Sequence, residues 1–130
     1  MIEQTELVVT KWEYNPPADP AIANEKTISH LDFDIMKKRN SIKKGIACKF
    51  TARFIKGEHT VLTYVGEDSY VIDFADVIDR NELINMIRNS YLKFYEKFEF
   101  RKLATSLNTS VVCTLDESLI DFDGLLHLLI

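Results

Sequence analysis

The chain is poor in the residues that announce chemistry. It has three histidines and two cysteines in 130 residues. His30, His59 and His127 have no partners at metal-ligand spacing, and Cys48 and Cys113 form no paired-cysteine motif. There is no phosphate loop, no dinucleotide fingerprint and no nucleophile elbow. Two carboxylate pairs exist, Asp32 with Asp34 and Asp121 with Asp123. Acid–base work would need a cleft that splits their pKa values, whereas a strand's polar face and a helix cap account for both. The sequence therefore predicts no catalytic residue, no metal and no cofactor.

Basic charge is also scarce. The formal net charge is −4, and the one basic cluster, Lys37-Lys38-Arg39 with Lys43-Lys44, is local. A nucleic-acid binder needs a basic stripe to neutralise phosphates, so that class is set aside and the cluster is read as the solvated end of a hairpin. No window approaches 18 uncharged apolar residues, which gives no membrane span. The acidic opening Met1–Glu6 does not read as a secretion signal. A cytoplasmic, bacterial or phage-like protein with reduced, buried thiols is the expectation.

What is present is a core and a clear order of elements. Hydrophobic residues make up 46% of the chain and charged residues 28%, the balance of an ordinary globular protein. At this length one domain spanning residues 1–130 is expected. From Ile46 to Phe54 every second residue is apolar: Ile46, Cys48, Phe50, Ala52, Phe54. Strand side chains alternate between faces, so this segment has one buried and one wet face, as in an antiparallel sheet covered on one side. Leu7–Tyr14 reads as a first strand, with Val8, Thr10, Trp12 and Tyr14 on one side. Pro16, Pro17 and Pro20 then break regular structure, and Ala21–Lys26 reads as loop. Ile28–Lys38 is a second strand, with Leu31, Phe33 and Ile35 opposed to Asp32, Asp34 and Met36. Asn40-Ser41 and Gly45 supply a turn. Thr60–Val65 is a further strand, Gly66–Ser69 a turn, and Tyr70–Phe74 a short return strand. The result is a meander of hairpins.

The period then changes to that of a helix. Asp79-Arg80-Asn81-Glu82 has the form of a capping box. Ile84, Ile87, Tyr91, Phe94 or Tyr95, and Phe98 recur at three to four residues, predicting an amphipathic helix over Arg80–Phe100. Thr105–Thr109 reads as loop and Ser110–Thr114 as a brief extended segment. Asp121 is placed to cap a short last helix through Leu125, Leu126, Leu128 and Leu129. The aromatics of the long helix exceed what one stripe hides. Tyr91, Tyr95 and Phe98 are therefore candidates for an oligomer interface. The last helix has almost no polar side and also needs a cover.

In this order the elements resemble the SecB family of export chaperones. Three segments carry the resemblance. Lys56-Gly57-Glu58-His59 and the strand through Val65, followed by Gly66 and Tyr70-Val71-Ile72, are similar to that family's glycine-acidic turn, strand and short return strand. The long helix sits where the family's first helix does. Ile120-Asp121-Phe122-Asp123-Gly124-Leu125-Leu126 resembles the family's Val-Asn-Phe-Asp-Ala-Leu-Phe, which opens its last helix. Two departures stand beside these: Thr109–Leu119 has no proline approaching the last helix, and no polar tail follows Ile130. The resemblance implies an α+β fold, with a curved antiparallel sheet of four to five strands packed with one long helix and a short C-terminal helix. It also implies assembly as a dimer or tetramer, and grooves that take unfolded polypeptide or a partner protein. On that reading Trp12, Tyr14, Phe33, Phe122, Leu125 and Leu126 are candidates for the polypeptide-binding groove or its lid. The expected function is non-enzymatic and chaperone-like. The alternatives are a small-ligand-binding α+β domain and a structural partner in a hetero-complex.

Overall fold

The computed structural model describes residues 2–4, 6–39, 43–73, 78–102, 117 and 120–129. Its centre is the alternating segment, strand β4 (Lys43–Lys56) of an antiparallel sheet. On one side β4 pairs with β3 (Thr27–Arg39). On the other it pairs with β5 (His59–Asp73). The far edge of β5 is shared by β1 (Ile2–Gln4) and β2 (Val8–Tyr14), so five strands occupy four positions in the order β1/β2, β5, β4, β3. The expected α+β meander is present, and the register explains its core. Phe33, Phe50 and Gly66 stand in one cross-strand row, and Leu31, Ala52, Tyr64 and Trp12 in another. Every second residue of β4 is thereby turned to the same covered face, where Ile46, Cys48, Phe50, Ala52 and Phe54 are all buried.

The sequence reading is corrected in three places. Gly66–Ser69 is not a turn, because β5 runs through it as one strand of 15 residues. A side chain at Gly66 would place Cβ 2.7 Å from the Phe94 ring, so the glycine there admits a helix rather than reversing the chain. Asp68, the other apparent turn residue, is fully buried and bonded. Next, Pro20–Ala23 is a single helical turn, α1, not loop. Asp19 caps it by accepting from the Ala21 amide at 2.9 Å, and Pro20 begins it. Finally, Val8 does not share a face with Trp12. A β-bulge between Val9 and Lys11 inserts a residue and changes the parity, leaving Val8 exposed and Leu7 buried. The expected Asn40-Ser41 turn, the Thr105–Thr109 loop, the Ser110–Thr114 segment and Cys113 lie outside the described residues.

Helix α2 (Arg80–Arg101) lies on the inner face of the sheet. Asp79 caps it, accepting from the Glu82 amide at 2.8 Å. Its buried stripe is Leu83, Met86, Ile87, Ser90, Phe94 and Phe98, turned slightly from the expected one, so that Ile84 and Tyr91 are only half-buried. Rings hold it down: Phe94 stacks on Tyr64 at 4.2 Å and Phe98 on Phe54 at 4.9 Å, geometry favoured beyond burial alone. The last helix, α3 (Phe122–Leu129), packs on α2. Asp121 caps it, accepting from the Gly124 amide at 3.0 Å. Among the described residues no helix is long and apolar enough to cross a membrane.

One polar cluster sits inside this dry layer. The Ser90 hydroxyl donates to Asp68 at 2.8 Å, and the Asp68 carboxylate also accepts from the Ser69 amide at 3.0 Å. Tyr70 donates to the Met86 carbonyl at 2.6 Å and lies 2.5 Å from the Ser90 oxygen. Tyr64 donates to the Phe94 carbonyl at 2.9 Å. No buried side-chain nitrogen or oxygen among the described residues lacks a partner, as a low-dielectric interior demands. Burial, with the Asp68 charge adding to it, pushes the neighbouring Cys48 thiol up to about 12. Burial likewise raises the Tyr64 and Tyr70 hydroxyls above their ordinary value. Cys48 is thus a buried, protonated thiol, unsuited to nucleophilic work.

Candidate functional site

The inner face of the sheet is not covered evenly. Over β5 and β4 it is sealed by α2. Along β3 the inward side chains Leu31, Phe33 and Ile35 pack against the core and remain half-buried. There the chain entering α3 approaches the edge of the sheet without closing on it. The gap is a cleft of about 340 Å³. Phe33 and Ile35 from β3 form one wall, Ile120 and Leu125 the other, and Gly124 adds backbone. Asp34 and Asp121 also line it. Apolar walls with a few polar groups are the ordinary make-up of a binding site.

Local sequence builds each wall. Alternation in β3 turns Leu31, Phe33 and Ile35 inward, while His30, Asp32 and Asp34 are exposed. The cap of α3 fixes Leu125, whose amide donates to the Asp121 carbonyl at 3.1 Å. Gly124 leaves room for the capping carboxylate, since a Cβ added there would lie 2.3 Å from an Asp121 oxygen and the Asp121 side chain would have to shift. On the far side of α3 the Arg80 guanidinium lies over the Phe122 ring at 5.7 Å and pairs with Asp123 at 3.3 Å. Arg88 donates to Glu117 at 2.8 Å, tying the approach to α3 onto α2.

The cleft continues inward through rings. Phe33 meets Phe50 at 5.0 Å, Phe50 meets Tyr91 at 6.0 Å, and Tyr91 meets Tyr95 at 6.4 Å. Tyr91 and Tyr95 also wall a narrow crevice with Ala52 and Phe54 of β4. An aromatic path thus runs from the sheet edge to the middle of α2.

Of the residues singled out in the sequence for polypeptide binding, Phe33 and Leu125 come together in the cleft. Leu126 is half-buried against the core beside them, and Phe122 is buried, with 7% exposed. Trp12 and Tyr14 stand at the other edge of the sheet, on β2. There Trp12 packs edge-on to Tyr64 at 5.4 Å and lies under the Arg101 guanidinium at 5.8 Å. Among the residues proposed for an oligomer interface, Tyr91 and Tyr95 are half-buried on the aromatic path, while Phe98 is inside the core on Phe54. The large apolar side chains that α2 does expose are Leu92 and Phe100, the latter 80% accessible. Ile35 and Ile120 were missed as cleft residues. Ile35 was legible as the next inward position after Phe33, whereas Ile120 carried no such signal. Asp32 is bound to Arg53 at 2.9 Å and Asp123 to Arg80, while Asp34 and Asp121 both line the cleft. Among the described residues no group of three or more histidine, cysteine or acidic side chains could hold a metal.

No family model matches the sequence, and no curated protein does. Solved structures do resemble the fold. One is a SecB-like chaperone from Mycobacterium tuberculosis, in complex with a ChAD peptide from the HigA1 antitoxin. It superposes with a TM-score of 0.58 at 13% identity, over 88% of this chain and 91% of that one. Another is a protein of unknown function from Streptococcus agalactiae, with a TM-score of 0.45 at 12% identity, over 89% of this chain and 98% of that one. At 13% identity the first likeness speaks for the fold alone: an antiparallel sheet carrying one long and one short C-terminal helix, in the SecB-like arrangement.

Proposed function

We propose that this protein is a chaperone-like binder of extended polypeptide, which it holds in the cleft between β3 and α3 without doing chemistry on it. The observation that carries this reading is the half-covered apolar wall of Phe33 and Ile35 facing Ile120 and Leu125 across about 340 Å³. The likeness of the fold to a SecB-like chaperone solved with an antitoxin peptide supports it. Burying one large apolar side chain contributes about 1.5–3 kcal/mol, and ordering the segment offsets part of that. Two or three anchors then give the weak, sequence-tolerant affinity that suits a holding function. The test is fluorescence anisotropy of a short labelled peptide with several apolar side chains, paired with suppression of aggregation of an unfolded client. Binding that weakens about tenfold in Leu125→Asp is expected. Failure to bind any such peptide, together with failure to protect any client, would overturn the reading.

The same reading includes self-association. Leu92 and Phe100 lie eight residues apart on α2 and are both exposed, two apolar side chains that a second copy would cover. Light scattering behind size exclusion should give a mass above 15.0 kDa, reduced by Leu92→Asp or Phe100→Asp. A monomer at every concentration would overturn it.

A further inference from the structure

We infer that the buried Asp68–Ser90 pair is a register lock: it selects which turn of α2 sits on the sheet, a choice that the other contacts leave open. The inference stands apart from the polypeptide-binding reading. Asp68 and Ser90 are both fully buried. The Ser90 hydroxyl donates to Asp68 at 2.8 Å, and the Lys93 ammonium, three residues further along α2, stands 3.9 Å from the same carboxylate oxygen. A buried carboxylate costs stability against an apolar side chain of its size unless its neighbours compensate it, so its place in an otherwise apolar layer calls for a use.

α2 runs along the inner row of β5 in the opposite sense. Tyr64 and Gly66 meet Phe94, Asp68 meets Ser90, and Tyr70 meets Met86. Four helix residues rise about 6 Å and two strand residues about 6.6–6.8 Å. A slide of α2 by one turn therefore brings the next side chain of the stripe over each strand residue. Most contacts survive that slide. The Tyr64 and Tyr70 hydroxyls donate to the backbone carbonyls of Phe94 and Met86, and a helix presents an equivalent carbonyl one turn away. Gly66 leaves room for the Phe94 ring, and Phe98, four residues on, brings a ring of the same size. Lys97 follows Lys93 by the same four residues, so an ammonium is still supplied to Asp68.

Asp68 is where the slide fails. With Phe98 over Gly66, the residue brought to Asp68 is Phe94, and the carboxylate loses the hydroxyl that donates to it. The slide in the other direction brings Met86 to Asp68 and Asn89 to the place of Lys93, so hydroxyl and ammonium are both lost. A buried acceptor deprived of its donor bears the full cost of its desolvation, which separates the observed seating from both neighbours. In the buried stripe Leu83, Met86, Ile87, Ser90, Phe94 and Phe98, the one hydroxyl is that of Ser90. The register also fixes what α2 carries on its other faces. A one-turn slide moves Arg88 about 6 Å away from Glu117, to which it donates at 2.8 Å. Asp68 and Ser90 are thus positioning residues: through α2 they set where the approach to α3 is held.

Nuclear Overhauser contacts from the Gly66 α-protons report the register in the full chain: to the Phe94 ring in the observed seating, to the Phe98 ring in the slid one. In the parent a single set of resonances is expected, with the Phe94 contact alone. Asp68→Leu combined with Ser90→Ala removes the lock from both sides. There a second set carrying the Phe98 contact should rise from below about 1% to about 10% or more. Tyr64→Phe is the control. It removes a grip that every register shares, so it should lower the denaturation midpoint and leave a single set with the Phe94 contact; a second set there would give the choice to the tyrosine and overturn the inference. A single set with the Phe94 contact in the double variant would overturn it as well, because packing alone would then choose the register. If the leucine variant does not fold, Asp68→Asn with Ser90→Ala, which keeps the size of the aspartate, gives the same reading. Failure of both to fold would also overturn it, by showing that the pair holds α2 down instead of choosing its place.

Discussion

The two edges of the sheet are built in opposite ways. The β1/β2 edge is broken into two short strands, carries the bulge at Val9–Lys11 and leads into Pro16, Pro17 and Pro20. It is also clamped from above, where the Lys97 ammonium donates to the Leu7 carbonyl at 3.0 Å and Trp12 packs on Tyr64. Each of these devices discourages pairing by another strand. The β3 edge has none of them across Leu31–Ile35: no bulge against β4, no proline, and a cleft where the other edge has a helix. Among the described residues the sheet is protected at one edge and open at the other, and on the function proposed above the open side is the one that holds a partner.

Substitutions can break that division or sharpen it. The largest effect is expected at Phe94→Ala, which removes the ring stacked on Tyr64 beneath α2. A loss of about 3–5 kcal/mol should appear in urea denaturation; a loss below about 1 kcal/mol would mean that α2 does not seal its half of the sheet. Alkali should act on the same half. The Cys48 thiol is raised from an ordinary 9.0 to about 12, so the folded chain keeps a proton that the unfolded chain releases. The stability this thiol confers is complete below pH 9 and is lost as pH rises toward 12, with a slope of up to about 1.4 kcal/mol per pH unit. Denaturation midpoints measured across that window should fall less steeply in Cys48→Ala than in the parent. On the receptive side the order reverses. Leu125→Asp is half-buried at a cleft wall and should cost little stability, about 1 kcal/mol or less, while weakening peptide binding about tenfold in an anisotropy titration. The smallest effect belongs to Arg53→Gln. Its ion pair with Asp32 is solvent-exposed, and the change should move the thermal midpoint by no more than about 1 kcal/mol equivalent.

Much of the scaffold was legible because its signals are local. The alternation of β4 names its own buried face, and Asp79 and Asp121 mark helix starts by their spacing to the amides they accept from. The unity of β5 was not legible. Leu62, Tyr64, Gly66, Asp68, Tyr70 and Ile72 keep one parity throughout, but a glycine and an aspartate so close together imitate a turn. What overrides that propensity comes from far along the chain: Phe94 fills the space over Gly66, and Ser90 satisfies Asp68. The cleft was half legible for the same reason. Phe33 and Leu125 stand out by pattern, whereas Ile120 gains its meaning only when α3 is laid beside β3. Trp12 and Tyr14, the most conspicuous aromatics near the start of the chain, lie across the sheet from that cleft, a separation set by strand order, which composition does not encode.

The sharing of one β5 edge between β1 and β2 has a consequence for the order of folding. β3, β4 and β5 are consecutive in the chain, and β4 and β5 are joined by a short turn at Gly57, which adopts a left-handed φ of 59°, so their pairing closes small loops. Pairing Ile2 with Ile72, or Trp12 with Tyr64, must instead close a loop of more than 50 residues, which is slower and entropically dearer. On loop length alone a newly made chain is expected to form the β3–β4–β5 meander first, which leaves the far edge of β5 unpaired until the N-terminal strands arrive. Pairing of the N-terminal strands then removes an open edge, and delaying it, for instance by truncating β1 and β2, should raise aggregation during refolding.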